Sequence, residues 1–166
     1  MVNTAKRNTK KVGDISESAV ITALIKCGYE VSIPFGENHR YDIIVDKDGV
    51  LSRIQIKSGR LRRGVVDYAA CSSHSHRGGP NSRSYQGEVD YFGVYCKDTD
   101  SVYLIPSADA PATRGSLRID RTKQGQSKKI RWAHPYVIQV CTPVLVGSAA
   151  ESVVRPLDRE LPFWPS

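Results

Sequence analysis

The chain has 166 residues, 40% of them hydrophobic and 25% charged, which is the balance of a globular domain with one core and excludes a fibrous or wholly disordered chain. A total of 24 Lys and Arg residues against 17 Asp and Glu residues gives a net charge of +7. A small basic domain attracts polyanions, of which nucleic acid is the commonest, although the charge alone is equally compatible with a role in solubility.

Residues 1–13 are basic and polar, and they hold no apolar cluster that could be buried. We therefore expect a basic N-terminal arm at the start of the chain. Lys10 and Lys11 either contact phosphates there or remain solvated.

An amphipathic helix is predicted over 14–27, because apolar residues recur there at helical spacing and Gly28 ends the run. At about 100° per residue, Glu17 falls beside Ile21 and Leu24, on the flank of the apolar stripe. A carboxylate in that place points to a site at the edge of the core. The alternative is an ordinary first-turn acid that complements the helix dipole.

The predicted helix is followed by three predicted strands, over 29–33, 41–46 and 51–57. Asp48-Gly49 is a strong signal for a tight hairpin, so the second and third strands are expected to pair antiparallel. This pairing makes Asp42 and Gln55 near neighbours. Because side chains alternate along a strand, Gln55 and Lys57 share one face.

The rest of the chain alternates between polar stretches and strand patterns. Residues 71–88 lack periodicity, which predicts a long loop. A short helix near the start of this loop is the alternative. A hairpin over 90–96 and 101–106 brings the sheet to about five strands, and 107–130 predict a basic flap. The remaining predictions are a strand over 136–141 and a Pro-containing C-terminal tail over 143–166, which leaves 14–142 as the folded domain.

Asp42, Ile56 and Lys57 form a pattern suited to the hydrolysis of a phosphodiester bond. That reaction needs an activated water, neutralisation of charge in the transition state, and protonation of the leaving oxygen. Mg²⁺ prefers oxygen ligands and keeps several waters, so the carboxylate of Asp42 and the backbone carbonyl of Ile56 can hold it. Lys57 can orient the water, stabilise the developing charge or act as a base. As a bare pattern these residues are weak, because such a spacing also occurs by chance.

The same residues carry a resemblance to a known family. Glu17 on the first helix, Asp42 at the start of a strand and Gln55-Ile56-Lys57 after a hairpin resemble the pattern of the PD-(D/E)XK nuclease superfamily. The chain is similar in particular to the group I intron-associated homing endonucleases of that superfamily, over roughly residues 12–106. The motifs are G-D-x-x-E at 13–17, the segment 34–42, the run 55–60 and Val-Asp-Tyr-Phe at 89–92.

The resemblance implies a restriction-endonuclease-like α/β core, with a mixed central β-sheet flanked by helices, that cuts DNA with Mg²⁺ or with Mn²⁺ as its substitute. The catalytic residues are then Glu17, Asp42, Gln55 and Lys57. The implied metal ligands are Asp42, the Ile56 carbonyl, Glu17 directly or through a water, and Gln55. Gln55 stands where most of the superfamily has Asp or Glu, so an amide oxygen replaces one charged ligand.

A homing function also implies partners. One small active site cuts one strand, so double-strand cleavage of a long site calls for a homodimer or a homotetramer. Side chains suited to contacting double-stranded DNA flank the predicted site or lie in 71–88, where an unstructured surface loop is the alternative. These side chains are Lys10, Lys11, His39, Arg40, Ser58, Arg60, Arg62, Arg63, Ser72, Arg77, Arg83 and Tyr85.

Two other functions remain open from the sequence. A Holliday junction resolvase shares the same core and charge, and Gln55 keeps open a DNA-binding module whose nuclease centre is inactive. The four cysteines are scattered without a CxxC pair, which is typical of a cytoplasmic protein rather than of a disulfide framework. No apolar run approaches the ~20 residues that a membrane span needs.

Overall fold

The computed structural model describes residues 8–36, 38–76, 79–120 and 130–138, and for 73–76 and 79–81 it describes the backbone only. Within these ranges the chain forms one α-helix and nine β-strands. The helix is α1, Thr9–Lys26. The strands are β1 Glu30–Ser32, β2 Ile43–Lys47, β3 Val50–Arg62, β4 Val65–Ala69, β5 Cys71–His76, β6 Gly79–Ser84, β7 Tyr91–Cys96, β8 Ser101–Pro106 and β9 Arg114–Arg118.

β3 is the centre of a seven-stranded mixed sheet. Its first five residues pair antiparallel with β2, across a hairpin in which Asp48 and Gly49 have φ values of 55° and 83°, as the sequence predicts. Residues 54–59 run parallel to β7, and residues 60–62 pair antiparallel with β4. Among the described residues, 55–59 therefore have a strand partner on one edge only. Their other edge is open between the start of β2, which pairs at Ile43↔Ile54, and the C-terminal half of β4, which pairs at Arg60↔Asp67.

The two faces of the sheet are covered differently. α1 packs on one face through Val20 and Leu24, which are fully buried against Ile43 and Ile54. Gly93 of β7 lets the helix approach, because a Cβ there would lie 2.7 Å from Val20 Cγ1. On the opposite face a second cluster of buried side chains joins β4, β7, β8 and β9, and it includes Tyr68, Tyr85, Phe92, Tyr103 and Leu117.

The helix begins at Thr9 rather than at residue 14. Asn8 caps it, since its side-chain oxygen accepts a hydrogen bond from Lys11 N at 3.1 Å. Gly13 is unfavourable inside a helix by about 1 kcal/mol, but Ser58 of β3 bonds to the Val12 carbonyl oxygen at 3.5 Å and supports this turn. Part of the expected N-terminal arm is therefore helical, and residues 1–7 lie outside the described residues.

The segment predicted as a long loop over 71–88 is mostly a hairpin. β5 and β6 pair antiparallel from Cys71↔Ser84 to His76↔Gly79 and form a separate two-stranded sheet. No described side chain of this ribbon belongs to either hydrophobic cluster. This stretch of the sequence accordingly lacks the apolar alternation by which a strand is usually recognised, which is why it predicts a loop.

Three further predictions about strands need correction. The sheet has seven strands rather than about five, because β4 and β9 pair with each other through a register that runs from Val65↔Arg118 to Ala69↔Arg114. β9 lies within the predicted basic flap. The predicted strand over 136–141 is absent from its described part, where Tyr136 ends a 3-10 turn and Val137 makes a single bridge to Tyr103. Residues 139–166, and with them the predicted tail, lie outside the described residues.

The restriction-endonuclease-like α/β core that the sequence predicts is confirmed by the mixed sheet and its packed helix. One helix, rather than several, flanks the sheet in the described part of the chain. No helix among the residues described is long and apolar enough to cross a membrane.

Candidate active site

Asp42 lies on the open edge of β3. Its N–H donates to the Ile54 carbonyl oxygen at 2.9 Å, which continues the β2–β3 ladder by one bond. Its carboxylate Oδ2 accepts hydrogen bonds from Ile56 N and from Gln55 Nε2, both at 2.5 Å. The side chain thus caps the strand edge just before β2 begins, and its Oδ1 accepts no hydrogen bond from the described residues.

Gln55 and the Ile56 carbonyl complete the polar lining beside Asp42. Gln55 is only 7% exposed, and its Nε2 lies 3.4 Å from the Ile56 carbonyl oxygen. The amide therefore presents its donor side to the carboxylate. Rotation of the amide by about 180° exchanges donor for acceptor and offers an oxygen at the same place.

Lys57 lies two residues beyond Gln55 on the same strand face. Its Nζ donates to the Tyr85 hydroxyl at 3.1 Å and lies 4.5 Å from the centroid of that ring. The positive charge of Lys57 acts on Asp42 and opposes the rise in the pKa of that carboxyl. The ammonium group therefore lies near enough to the carboxylate for the two charges to interact.

Glu17 and Asp42 are two carboxylates that repel one another across the site. Burial, followed by the charges of Asp42 and Asp14, raises the pKa of Glu17. Burial also raises the pKa of Asp42, against the opposing effects of the Ile56 N–H and Lys57. In each case the folded environment disfavours the charged form, so the pair would be stabilised by a nearby cation.

A pair of serines ties the helix to the strand beside these residues. Ser16 Oγ lies 2.7 Å from Ser58 Oγ, and Ser16 also donates to the Val12 carbonyl oxygen at 3.0 Å. Ser16 precedes Glu17 and Ser58 follows Lys57, so this contact fixes the distance between the two halves of the site. Nothing in the sequence indicated this contact, because serine spacing carries no periodic pattern.

The donors at the site fit a hard divalent cation. They are the carboxylate oxygens of Asp42 and Glu17, the Ile56 carbonyl oxygen and the amide oxygen of Gln55, and oxygen is the ligand that Mg²⁺ and Mn²⁺ prefer. No group of three His, Cys, Asp or Glu side chains that could hold a metal occurs in the described part of the chain. The fit therefore depends on the backbone and the amide as well as on the acids.

The residues predicted to contact DNA fall into two groups. Lys10, Lys11, His39, Arg60, Arg62 and Arg63 are exposed, as a DNA contact requires. Arg40, Ser58, Ser72, Arg83 and Tyr85 bond to other parts of the chain, and of these Arg83 is also exposed. Tyr85 is only 5% exposed, which argues against a direct DNA contact. Arg77 lies outside the described residues.

A basic cleft that the sequence alone did not define lies further along β3. Arg60, Arg62 and Arg114 line a space of about 150 Å³ together with Ser58 and Asp67. None of the three guanidinium groups has an ion pair or hydrogen bond within the described residues. Arg114 arrives there because β9 pairs with β4, and the only sequence signal for it was the basic character of 107–130.

Comparisons with known proteins agree with this geometry. A family model described as PD-(D/E)XK endonuclease matches residues 7–139, well over half of the chain. The structure of a bacterial homing endonuclease, I-Ssp6803I, is similar over 79% of this chain and 89% of its own, with a TM-score of 0.66 and 23% sequence identity. At that identity the likeness shows the fold alone. No match was found among curated proteins.

Proposed function

Because the chain belongs to the PD-(D/E)XK endonuclease family, we propose that it is a metal-dependent endodeoxyribonuclease that hydrolyses phosphodiester bonds in duplex DNA. The observation that carries the proposal is the position of Asp42, anchored on the open edge of β3 by Ile56 N and Gln55 Nε2. The charge of Lys57 on β3 opposes the rise in the pKa of that carboxyl, and the charge of Asp42 helps to raise the pKa of Glu17 on the helix.

Each residue has a chemical role in this proposal. Asp42, Glu17 and the Ile56 carbonyl hold Mg²⁺, or Mn²⁺ as its substitute, with Gln55 contributing a neutral oxygen or holding a water. Lys57 places a positive charge where the scissile phosphate gains negative charge in the transition state. What the bound cation supplies is Lewis-acid activation of water and charge neutralisation.

The biological form of the proposal is a homing-type, site-specific nuclease that acts on DNA inside the cell as a homodimer or homotetramer. The net charge of +7 supports attraction to DNA. Two subunits would place two active sites on opposite strands. The bacterial protein whose fold this chain shares is a homing endonuclease, which supports the homing part of the proposal.

The direct test is incubation of the purified protein with Mg²⁺ and a plasmid or genomic library, followed by mapping of the DNA ends. Recurrent ends at one sequence support a homing-type nuclease. Symmetric cuts on a four-way junction with intact linear duplex would instead indicate a junction resolvase. Binding to DNA without any new DNA ends, with Mg²⁺ and with Mn²⁺ alike, would indicate a DNA-binding module and contradict the enzyme proposal.

Gln55→Glu tests whether residue 55 lies next to the cation. A second carboxylate beside Asp42 should bind a divalent cation about ten-fold more tightly, because it adds a charged oxygen ligand. Without metal, repulsion between the added carboxylate and that of Asp42 should lower the melting temperature of the variant, and added Mg²⁺ should restore it. Isothermal titration with Mg²⁺ and melting curves with and without it measure both effects.

The matched control for this change is Gln86→Glu, because Gln86 is exposed in a turn. It should alter neither metal affinity nor the metal dependence of melting. Unchanged metal affinity and unchanged cleavage in Gln55→Glu would show that residue 55 is not near the ion.

Arg114→Gln tests the basic cleft as a phosphate-binding surface. Loss of one phosphate contact should weaken binding to all duplexes by a similar factor and make the plot of log K against log salt less steep by about 0.9. The cleavage rate at saturating DNA should stay the same. Fluorescence anisotropy across a salt series provides the measurement.

Lys26→Gln removes the same charge at the far end of α1, about 15 Å along the axis from Ser16. It should leave the salt slope unchanged. An equal loss of slope in both variants would mean that only net charge matters and that the cleft makes no contact of its own.

A further inference from the structure

Tyr85 is a buried aromatic residue that directly follows β6. Its side chain belongs to the hydrophobic cluster on the face away from α1 and is 5% exposed. Its ring meets Phe92 edge-on, with centroids 5.9 Å apart and an interplanar angle of 84°. Packing alone would be served equally well by phenylalanine, so the hydroxyl group needs a separate explanation.

The hydroxyl of Tyr85 accepts a hydrogen bond from Lys57 Nζ at 3.1 Å. The same Nζ lies 4.5 Å from the ring centroid, within the range of a cation–π contact. A lysine side chain has four freely rotating bonds and loses much freedom when it is held in one place. Two contacts from one rigid ring therefore restrict the ammonium group to the region beside Asp42.

Arg40 holds the same ring from the side of the hairpin. Its guanidinium carbon lies 4.1 Å from the Tyr85 centroid. Arg40 is itself fixed by an ion pair with Glu88 and by hydrogen bonds to Ser72 Oγ at 3.0 Å and to the Ser84 carbonyl oxygen at 2.8 Å. The ring is thus tied to both strands of the β5–β6 hairpin.

We infer that Tyr85 is a positioning residue, which holds the Lys57 ammonium in its working place and links it through Arg40 to the base of the β5–β6 hairpin. The inference rests on the proposed nuclease function. Because Tyr85 immediately follows β6 and Arg40 joins its ring to Ser72 and Ser84, the position of the ring is coupled to the base of that hairpin. Placement errors of about 1 Å at a reacting centre lower rates up to 100-fold without a comparable loss of binding.

The test is Tyr85→Phe in the full chain, measured by single-turnover cleavage at saturating protein and by the dissociation constant for DNA. The ring, its contact with Arg40 and its packing on Phe92 remain, so only the hydroxyl contact with Lys57 is lost. The cleavage rate should fall about ten-fold while the dissociation constant stays within two-fold. The two measurements thus separate an effect on the cleavage rate from an effect on the affinity for DNA.

Tyr103→Phe is the matched control. Tyr103 is 2% exposed in the same cluster, and its hydroxyl lies 3.4 Å from Thr99 Oγ1 rather than near Lys57. This variant should cleave at the rate of the natural sequence. An equal loss of rate in both variants, or a rate within two-fold of the natural one in Tyr85→Phe, overturns the inference.

Combination with Lys57→Ala separates this inference from the proposed function. If Tyr85 acts through Lys57, the added Tyr85→Phe change should not lower further the residual cleavage of Lys57→Ala, measured over long incubations. A further ten-fold loss would show that Tyr85 acts by another route. Absence of cleavage by the natural sequence would contradict the nuclease proposal itself, whatever Tyr85 does.

Discussion

Replacing Lys57 with alanine is expected to lower the rate of DNA cleavage about 10³-fold and to leave DNA binding nearly unchanged. The ammonium group lies on the strand face beside Asp42, where it opposes the negative charge of that carboxyl and, in the proposed reaction, that of the phosphate. Removal of one charge-stabilising group from an active site typically costs 10²–10³ in rate. Single-turnover cleavage of an end-labelled duplex measures this loss.

Lys47→Ala is the control for the change at Lys57. Lys47 of β2 also lies 4.5 Å from a tyrosine ring, that of Tyr29, but it is remote from the open edge of β3. Its loss should change cleavage by less than about two-fold, in keeping with a surface cation–π contact of about 0.5–1 kcal/mol. Comparable losses in both variants would contradict the catalytic role of Lys57.

Asp42→Asn is expected to abolish cleavage and to weaken the binding of Mg²⁺ or Mn²⁺ at least 100-fold. Asparagine keeps an oxygen that can accept the hydrogen bond from Ile56 N, so the strand edge stays capped while the charge is removed. Even outer residues of metal sites change affinity by 10–100-fold, and Asp42 is the central carboxylate of the proposed site. Isothermal titration with Mn²⁺, with DNA binding measured in parallel, tests the change.

The control for Asp42→Asn is Asp46→Asn within β2, four residues further along the chain. Asp46 accepts a hydrogen bond from Gly49 N at 2.9 Å in the hairpin turn, and asparagine can keep that bond. The Asp46→Asn variant should retain both metal binding and cleavage. Retained Mn²⁺ affinity in Asp42→Asn would place the ion elsewhere in the chain.

The centre of the site was predictable because short-range rules determine it. Asp48-Gly49 sets the register of β2 on β3, and strand alternation then puts Gln55 and Lys57 on one face near Asp42. Burial and the charge of Asp42 both act on Glu17, which agrees with its predicted place at the edge of the apolar stripe. These arguments need only the geometry of one helix and one hairpin.

The outer parts were not predictable because they depend on contacts between distant segments. Arg114 reaches the basic cleft only through the pairing of β9 with β4. The β3–β4 turn is Arg63-Gly64, with φ values of 50° and 74°, whereas the usual sequences for such a turn place Asn or Asp before glycine. Tyr85 was expected to contact DNA, because its sequence neighbours resemble a surface loop and nothing local indicates that its ring is buried.

The open edge of β3 also bears on aggregation. A strand edge with free N–H and C=O groups is a template on which another chain can add a strand, and proteins usually protect such edges with charges or covering segments. Here Asp42 occupies the edge and takes up the Ile56 N–H. A negative charge at that point both satisfies the backbone and repels an approaching carbonyl. The residue that the proposed chemistry needs most is therefore also a guard against aggregation, and Asp42→Ala should expose the edge that Asp42→Asn keeps covered.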